Sequence, residues 1–262
     1  MRPASELESG SQVTHKGRIL AWAAWDWGSA AFNAVMTTFV FTVYLTSNAF
    51  GGEDQASAVL GGALAIAGAA IALLAPVTGQ RSDTGGRRKL WLGVNTAAVA
   101  LLTALCFFVF PRPEFLLLGV TLIALANVFF EFAGVNYNAM LAQISTPKNI
   151  GKVSGFGWGM GYLGGIAALL LVLQLFVQPS FEWFGASTED GLNIRLVAVF
   201  SALWFFIFAL PVLFAVPELP RTKQGAGLGF LLSYGLLVRR IKAIYRTSPH
   251  TIYFLLASAV FR

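Results

Sequence analysis

Two acidic residues stand where acids are expensive. Asp26 and Glu131 lie inside long apolar runs, whereas the other ten aspartates and glutamates fall in polar tails and loops. An aspartate at the centre of a bilayer costs about 2.5–3.5 kcal/mol on insertion scales, so each needs a function or a structural partner. The neighbours suggest a function. Trp22, Asp26, Ser29, Asn33 and Thr37 recur every three or four residues, as do Asn127, Glu131, Gly134 and Asn138. At about 3.6 residues per turn, each set forms one polar stripe on a helix. Two such stripes turned toward a wet cavity could take up and release a proton or hold a substrate amine. Asn136 and Tyr137 flank the second stripe and either line that cavity or bond a neighbour. The competing reading is structural: an acid bonded to backbone or asparagine that fixes helix packing.

The elements carrying these stripes must cross a membrane. Of 262 residues, 56% are hydrophobic and 11% charged, and the mean hydropathy is +0.70. A soluble domain carries about 25% charged residues. Six runs are long enough to span as helices: 19–47, 56–80, 90–110, 115–145, 153–177 and 192–216. Fifteen lysines and arginines fall in the N-terminal tail and the loops after the second, fourth and sixth runs, against two, Arg112 and Arg195, on the other side. This bias predicts a cytoplasmic N-terminus. The net charge of +6 is dispersed over these loops and does not mark a nucleic-acid surface. The division expected is a tail (1–18), a six-helix bundle (19–216), a cytoplasmic linker (217–250) and the start of a seventh span (251–262). Within the linker Phe230, Leu231, Tyr234, Leu237, Val238 and Ile241 keep helical spacing beside Arg239, Arg240 and Lys242. That pattern fits an amphipathic helix on anionic lipid.

Enzyme chemistry finds little footing. Cys106 is the single cysteine, and His15 and His250 lie in polar segments, so no metal cluster or nucleophile–base pair can be assembled within the spans. Gly159, Gly161 and Gly164 match GxGxxG, but no strand precedes them and they lie in an apolar run, so no nucleotide site is expected. No cofactor is expected. Instead Gly157, Gly161, Gly164 and Gly165 share a face that permits close helix approach.

The loop between the second and third spans carries Gly79, Asp83, Gly86, Arg87 and Arg88. The positive-inside rule accounts for its arginines but not for the glycine–aspartate spacing. That spacing resembles the signature loop of the major facilitator superfamily, G-x-x-x-D-x-x-G-[RK]-[RK]. More narrowly, Asp26-Trp27-Gly28-Ser29-Ala30-Ala31-Phe32, Tyr137-Asn138-Ala139-Met140-Leu141 and the string from Ser154 to Gly165 are similar to stretches of the family that includes fungal vacuolar amino-acid effluxers of autophagy.

The resemblance implies an all-α membrane protein, here the six-helix N-terminal half built from inverted three-helix repeats, plus the start of a seventh helix. A C-terminal six-helix half would be its partner. It also implies that the first and fourth helices line a central cavity. The expectation is then a secondary transporter of a small solute, amino acids by resemblance, working by alternating access with proton coupling in the cell membrane. Asp26 and Glu131 would bind the proton or a substrate amine, Trp22, Asn33, Asn127 and Asn138 would line the site, and Asp83 and Arg87 would form a cytoplasmic latch. The alternative is an inert or scaffold-like half that needs a second half or dimerisation.

Overall fold

The computed structural model describes residues 16–178, 187–218 and 230–261. Among these there is no strand. The helices are α1 (Lys16–Ala30), α2 (Phe41–Leu45), α3 (Glu53–Gly85), α4 (Arg88–Leu105), α5 (Leu116–Ile144), α6 (Ile150–Val172), α7 (Leu192–Ala215), α8 (Phe230–Thr247) and α9 (Pro249–Phe261). Six spans emerge, each long and apolar enough to cross a bilayer; α1 and α2 together form the first, and α3 to α7 belong to the second to sixth. The chain is an integral, multi-pass membrane protein. Residues 1–15, most of the loop before α7 and the first part of the linker lie outside the described residues, and with them Arg2, Glu182, Arg221 and Lys223.

The first span is not one regular helix. Between α1 and α2 the chain runs as a wider π-helix, Ala31–Phe39. Its loosened turns leave carbonyls that threonine hydroxyls fill: Thr37 and Thr38 both donate to the Asn33 carbonyl, at 2.7 and 2.8 Å, and Thr42 donates to that of Thr37 at 3.1 Å. The 3.6-residue stripe therefore holds from Trp22 to Ser29 and loses register beyond Ala30. Asn33 and Thr37 sit on the widened segment, and Asn33 is exposed.

Lipid provides no hydrophobic drive between helices, so they associate by close packing. α1 packs against α6 and α7, α4 against α5 and α7, and α3 against α5. Small residues make the α1 contacts possible. A Cβ built on Gly164 would lie 2.3 Å from the Trp27 carbonyl oxygen, and one on Gly28 would lie 2.7 Å from Phe208 Cβ. Ala31, Val35, Ala168, Val172 and Val197 continue the same seam of small side chains beyond α1. A larger core joins Trp22, Trp25, Phe32, Phe130, Tyr137 and Phe205.

Both polar ends are tied by backbone carbonyls. At one end Arg195, 6% exposed, donates from Nε to the Phe107 carbonyl. Its guanidinium also lies 3.7 Å from the Phe110 ring centroid and 4.6 Å from that of Phe107. The sequence places Arg195 among outer-side charges; the structure buries it between α4 and α7, where aromatic faces and a carbonyl replace water. Nearby, Tyr44 donates to the Val109 carbonyl at 2.9 Å, and Arg112 pairs with Asp190 at 3.7 Å.

The α1–α6 approach generates a test. Gly164→Ala pushes a methyl into the Trp27 backbone, which cannot rotate away, and overpacking of this kind costs about 1–3 kcal/mol. Gly155→Ala meets open space, with no atom within 4 Å. In detergent melts followed by fluorescence size-exclusion, Gly164→Ala should lose several degrees and Gly155→Ala none. Equal melting of the two variants would refute the close approach.

Candidate functional site

Asp26 lies ten residues after the start of α1, about 15 Å along the helix, and about 10 Å past the start of the apolar run at Ile19. Its surroundings are built by glycine. The carboxylate rests in the notch above Gly161, where an added Cβ would lie 3.0 Å from Oδ2 and 3.1 Å from Cγ. Ser29 Oγ donates to the Asp26 backbone carbonyl at 3.0 Å and lies 3.4 Å from Oδ1, too long to hold the carboxylate firmly. Asp26 is partly buried, and among the described residues no cation lies in salt-bridge range. A carboxyl so placed is not the fixed half of an ion pair. It is free to exchange a proton or to meet a ligand.

One turn away, aromatic rings lock α1 to α5. Trp22 and Trp25 clamp the Tyr137 ring from both faces, with centroids 4.4 and 4.3 Å away and interplanar angles of 2° and 25°. Trp22 Nε1 donates to the Tyr137 carbonyl at 3.0 Å, and Trp25 Nε1 to Thr96 Oγ1 on α4, also at 3.0 Å. Each aromatic pair contributes about 0.5–1.5 kcal/mol beyond burial. Trp22, 2% exposed, packs its ring on Gly157 and Tyr137 and so belongs to the interior wall behind Asp26.

The stripe on α5 is less engaged. Glu131 lies 13 residues before the end of α5, about 20 Å along it. It is partly buried and makes no hydrogen bond or ion pair among the described residues. Asn127 is partly buried and Asn138 exposed, while the flanking Asn136 is buried and donates to the Phe132 carbonyl at 2.8 Å. Asn136 Oδ1 has no partner. The structure thus brings Asp26, Trp22 and Tyr137 together against the α6 glycine face. Asp26 leans on Gly161 of α6, and among the described residues no hydrogen bond joins it to Glu131. Two participants were missed in the sequence, Trp25 and Thr96. Trp25 lies three residues after Trp22, and that spacing was the available signal.

The loop between α3 and α4 forms a second cluster. Gly86, at φ +59°, ends α3 in the left-handed region, and its N–H bonds the Ser82 carbonyl. Gly79 lets α3 approach Val135 on α5, where a Cβ would meet Cγ1 at 3.0 Å. Arg88 reaches α5, donating from Nη1 to the Ala139 carbonyl at 3.2 Å. Gln143, its amide oriented to satisfy both neighbours, accepts from Arg88 Nη1 at 3.1 Å and donates to the Pro217 carbonyl at 3.3 Å. Lys89 N–H bonds Glu218 Oε1 at 3.1 Å. The loop therefore staples α4, the end of α5 and the segment after α7. Arg87 is exposed, and the Asp83 side chain lies outside the described residues.

Residues 42–260 match the family described as "Vacuole effluxer Atg22 like". The chain belongs to this family. It is 27% identical over 196 residues to an uncharacterised MFS-type transporter of Bacillus subtilis, YxiO, a match covering 74% of this chain and 45% of that protein. It is 28% identical over 103 residues to autophagy-related protein 22-1 of Neosartorya fischeri, covering 38% and 16%. With the lactose permease of Leuconostoc lactis it shares 26% identity over 212 residues, covering 71% and 32%. The matches span less than half the length of each relative. No solved structure matches the chain.

The staple is testable without knowing a substrate. Hydrogen bonds from a charged donor contribute about 1.5–3 kcal/mol each. Arg88→Met should therefore speed amide exchange at the end of α5 and around 217–218, by tenfold or more. Lys148→Met, an exposed site on the same side, should leave both unchanged. Unaltered exchange in Arg88→Met would show that the loop does not hold α5.

Proposed function

We propose that the full-length protein is a secondary transporter that moves a small solute across a membrane by alternating access, coupled to protons. Membership of an effluxer family and relatives named as transporters support the transport class. The single observation that carries the mechanism is Asp26: a carboxyl within a membrane span, in a glycine notch, partly open and without a cation in salt-bridge range among the described residues. Membrane acids of this kind mark proton relays and ligand sites. Glu131, Asn127, Asn138 and Asn33 complete the polar lining in this reading. Amino acids are the substrate class, by likeness to the autophagy-related effluxers.

The second half of the transporter would cover the faces of α3 and α6 that this half leaves open, where Ile66, Leu73, Trp158, Tyr162 and Ile166 are exposed. Substrate then binds between halves. Asp83 and Arg87 form the latch that breaks as the halves rock, alongside the Arg88 staple. The N-terminus is cytoplasmic and the host is the cell membrane. The scaffold-like alternative draws on one observation, the largely exposed second span; a half left alone would have to pair to cover it.

Uptake by proteoliposomes carrying full-length protein tests this reading. Asp26→Asn should abolish accumulation driven by a pH gradient, by at least 100-fold, while leaving solute binding or exchange measurable. Glu131→Gln should lower the same rate about tenfold or more. Accumulation by Asp26→Asn at the wild-type rate would overturn the proton role. An absence of transport for amino acids and for a wider metabolite panel would favour the scaffold.

A further inference from the structure

The Tyr137 hydroxyl is buried and has no hydrogen-bond partner. A buried unsatisfied hydroxyl costs about 1–3 kcal/mol, so it calls for a reason. Repositioning the ring cannot supply a partner. Trp22 and Trp25 hold both its faces, and the backbone of the same residue accepts from Trp22. The hydroxyl is therefore a fixed donor that can turn only about its own C–O bond.

It points at the glycine face of α6. The oxygen lies 3.2 Å from where a Gly157 Cβ would stand, and Asp26 Oδ2 lies 3.0 Å from the Cβ position of Gly161. Those glycines are one turn apart, about 6 Å along α6. On α1, Asp26 likewise follows Trp22 by one turn. The hydroxyl and the carboxylate thus face adjacent turns of α6. Of the two, only the carboxylate has rotamer freedom, because the 3.4 Å Ser29 contact is weak.

We propose that Tyr137 is a positioning residue for Asp26: when the carboxyl is ionised it swings into the Gly157–Gly161 groove and accepts from the Tyr137 hydroxyl, with at most one water between them. When the carboxyl is protonated it releases the hydroxyl and rests at Gly161. The glycines carry no side chains of their own; the Trp22 ring is seated on Gly157, so the carboxylate approaches the hydroxyl from the Gly161 side of that ring. Among the described residues, no hydrogen bond or ion pair joins another charged or titratable group to Asp26 or to the Tyr137 hydroxyl. Lys152 is exposed near the start of α6, Tyr162 is exposed, Arg195 is held at the other end by Phe107, and Glu131 touches neither group.

This pairing rests on the proton role assigned to Asp26, and an experiment on the contact separates the two. Full-length protein in nanodiscs is examined by infrared difference spectroscopy across a pH step. The carboxyl band of Asp26 is identified by its loss in Asp26→Asn. Tyr137→Phe keeps both ring stacks and removes only the hydroxyl. The expected result is a displaced Asp26 carboxylate band in Tyr137→Phe. In the wild type with ring-labelled tyrosine, a tyrosine band that Tyr137→Phe removes should change in step with Asp26. An Asp26 band unmoved by Tyr137→Phe, with no tyrosine band in step, overturns the pairing alone. If Asp26→Asn removes no band, the proton role fails and the pairing falls with it.

Discussion

Everything near the membrane centre depends on how closely α1 can approach α6. In lipid the only reward for helix contact is atomic packing and hydrogen bonding. The Trp27 backbone fits against Gly164 because Gly164 has no side chain, and that fit sets the height of every residue on α1. With Trp27 fixed, Trp22 falls on Gly157 and Asp26 on Gly161. Gly28 plays the matching part toward α7, where Phe205 and Phe208 press against it. α1 is thus gripped from two sides at one level, and the acid sits immediately before the grip. A side chain placed there cannot drift along the membrane normal, which any fixed proton or substrate site requires.

The charges at the ends of the bundle follow a different rule. Arg88 and Arg195 both reach backbone carbonyls, those of Ala139 and Phe107. A carbonyl oxygen has two lone pairs, so one already bonded within a helix can still accept from an arginine, and no carboxylate need be buried beside it. Among the described residues this leaves Asp26 and Glu131 without a cation in salt-bridge range. The division of labour is physical: arginines fasten the ends, aromatics and glycines fasten the middle, and the carboxyl of Asp26 is left unfastened.

Much of this was legible in the sequence, and the reasons are specific. Runs of about 20 apolar residues can only be helices in lipid, so the six spans and the all-α class follow directly. The glycine face of α6 was visible because a helix repeats its faces regularly. What escaped were contacts made between elements. Arg195 counted as a surface charge by its position, yet the Phe107 and Phe110 rings that bury it are more than 80 residues away. Trp25 looked like one more apolar residue until α5 brought Tyr137 beside it. Arg88 was seen as part of a motif, but its reach to Ala139 and Gln143 needed the fold. On α8, Tyr234 donates to the Leu73 carbonyl of α3, a contact between elements that the spacing of α8 could not reveal.

The largest departure from regularity also carries the most meaning for the site. A 3.6-residue stripe assumes an unbroken α-helix, and the π-helix from Ala31 to Phe39 breaks it one turn after Asp26. π-helical turns are less stable than α-helical ones and persist where tertiary contacts or function hold them. Here the holding contacts are the Ala31 and Val35 seam against α6 and α7, and the threonine hydroxyls that fill the widened carbonyls. The first span is therefore a regular α-helix that carries the acid, followed by a π-helical segment that carries Asn33, with the winding changing about one turn after Asp26.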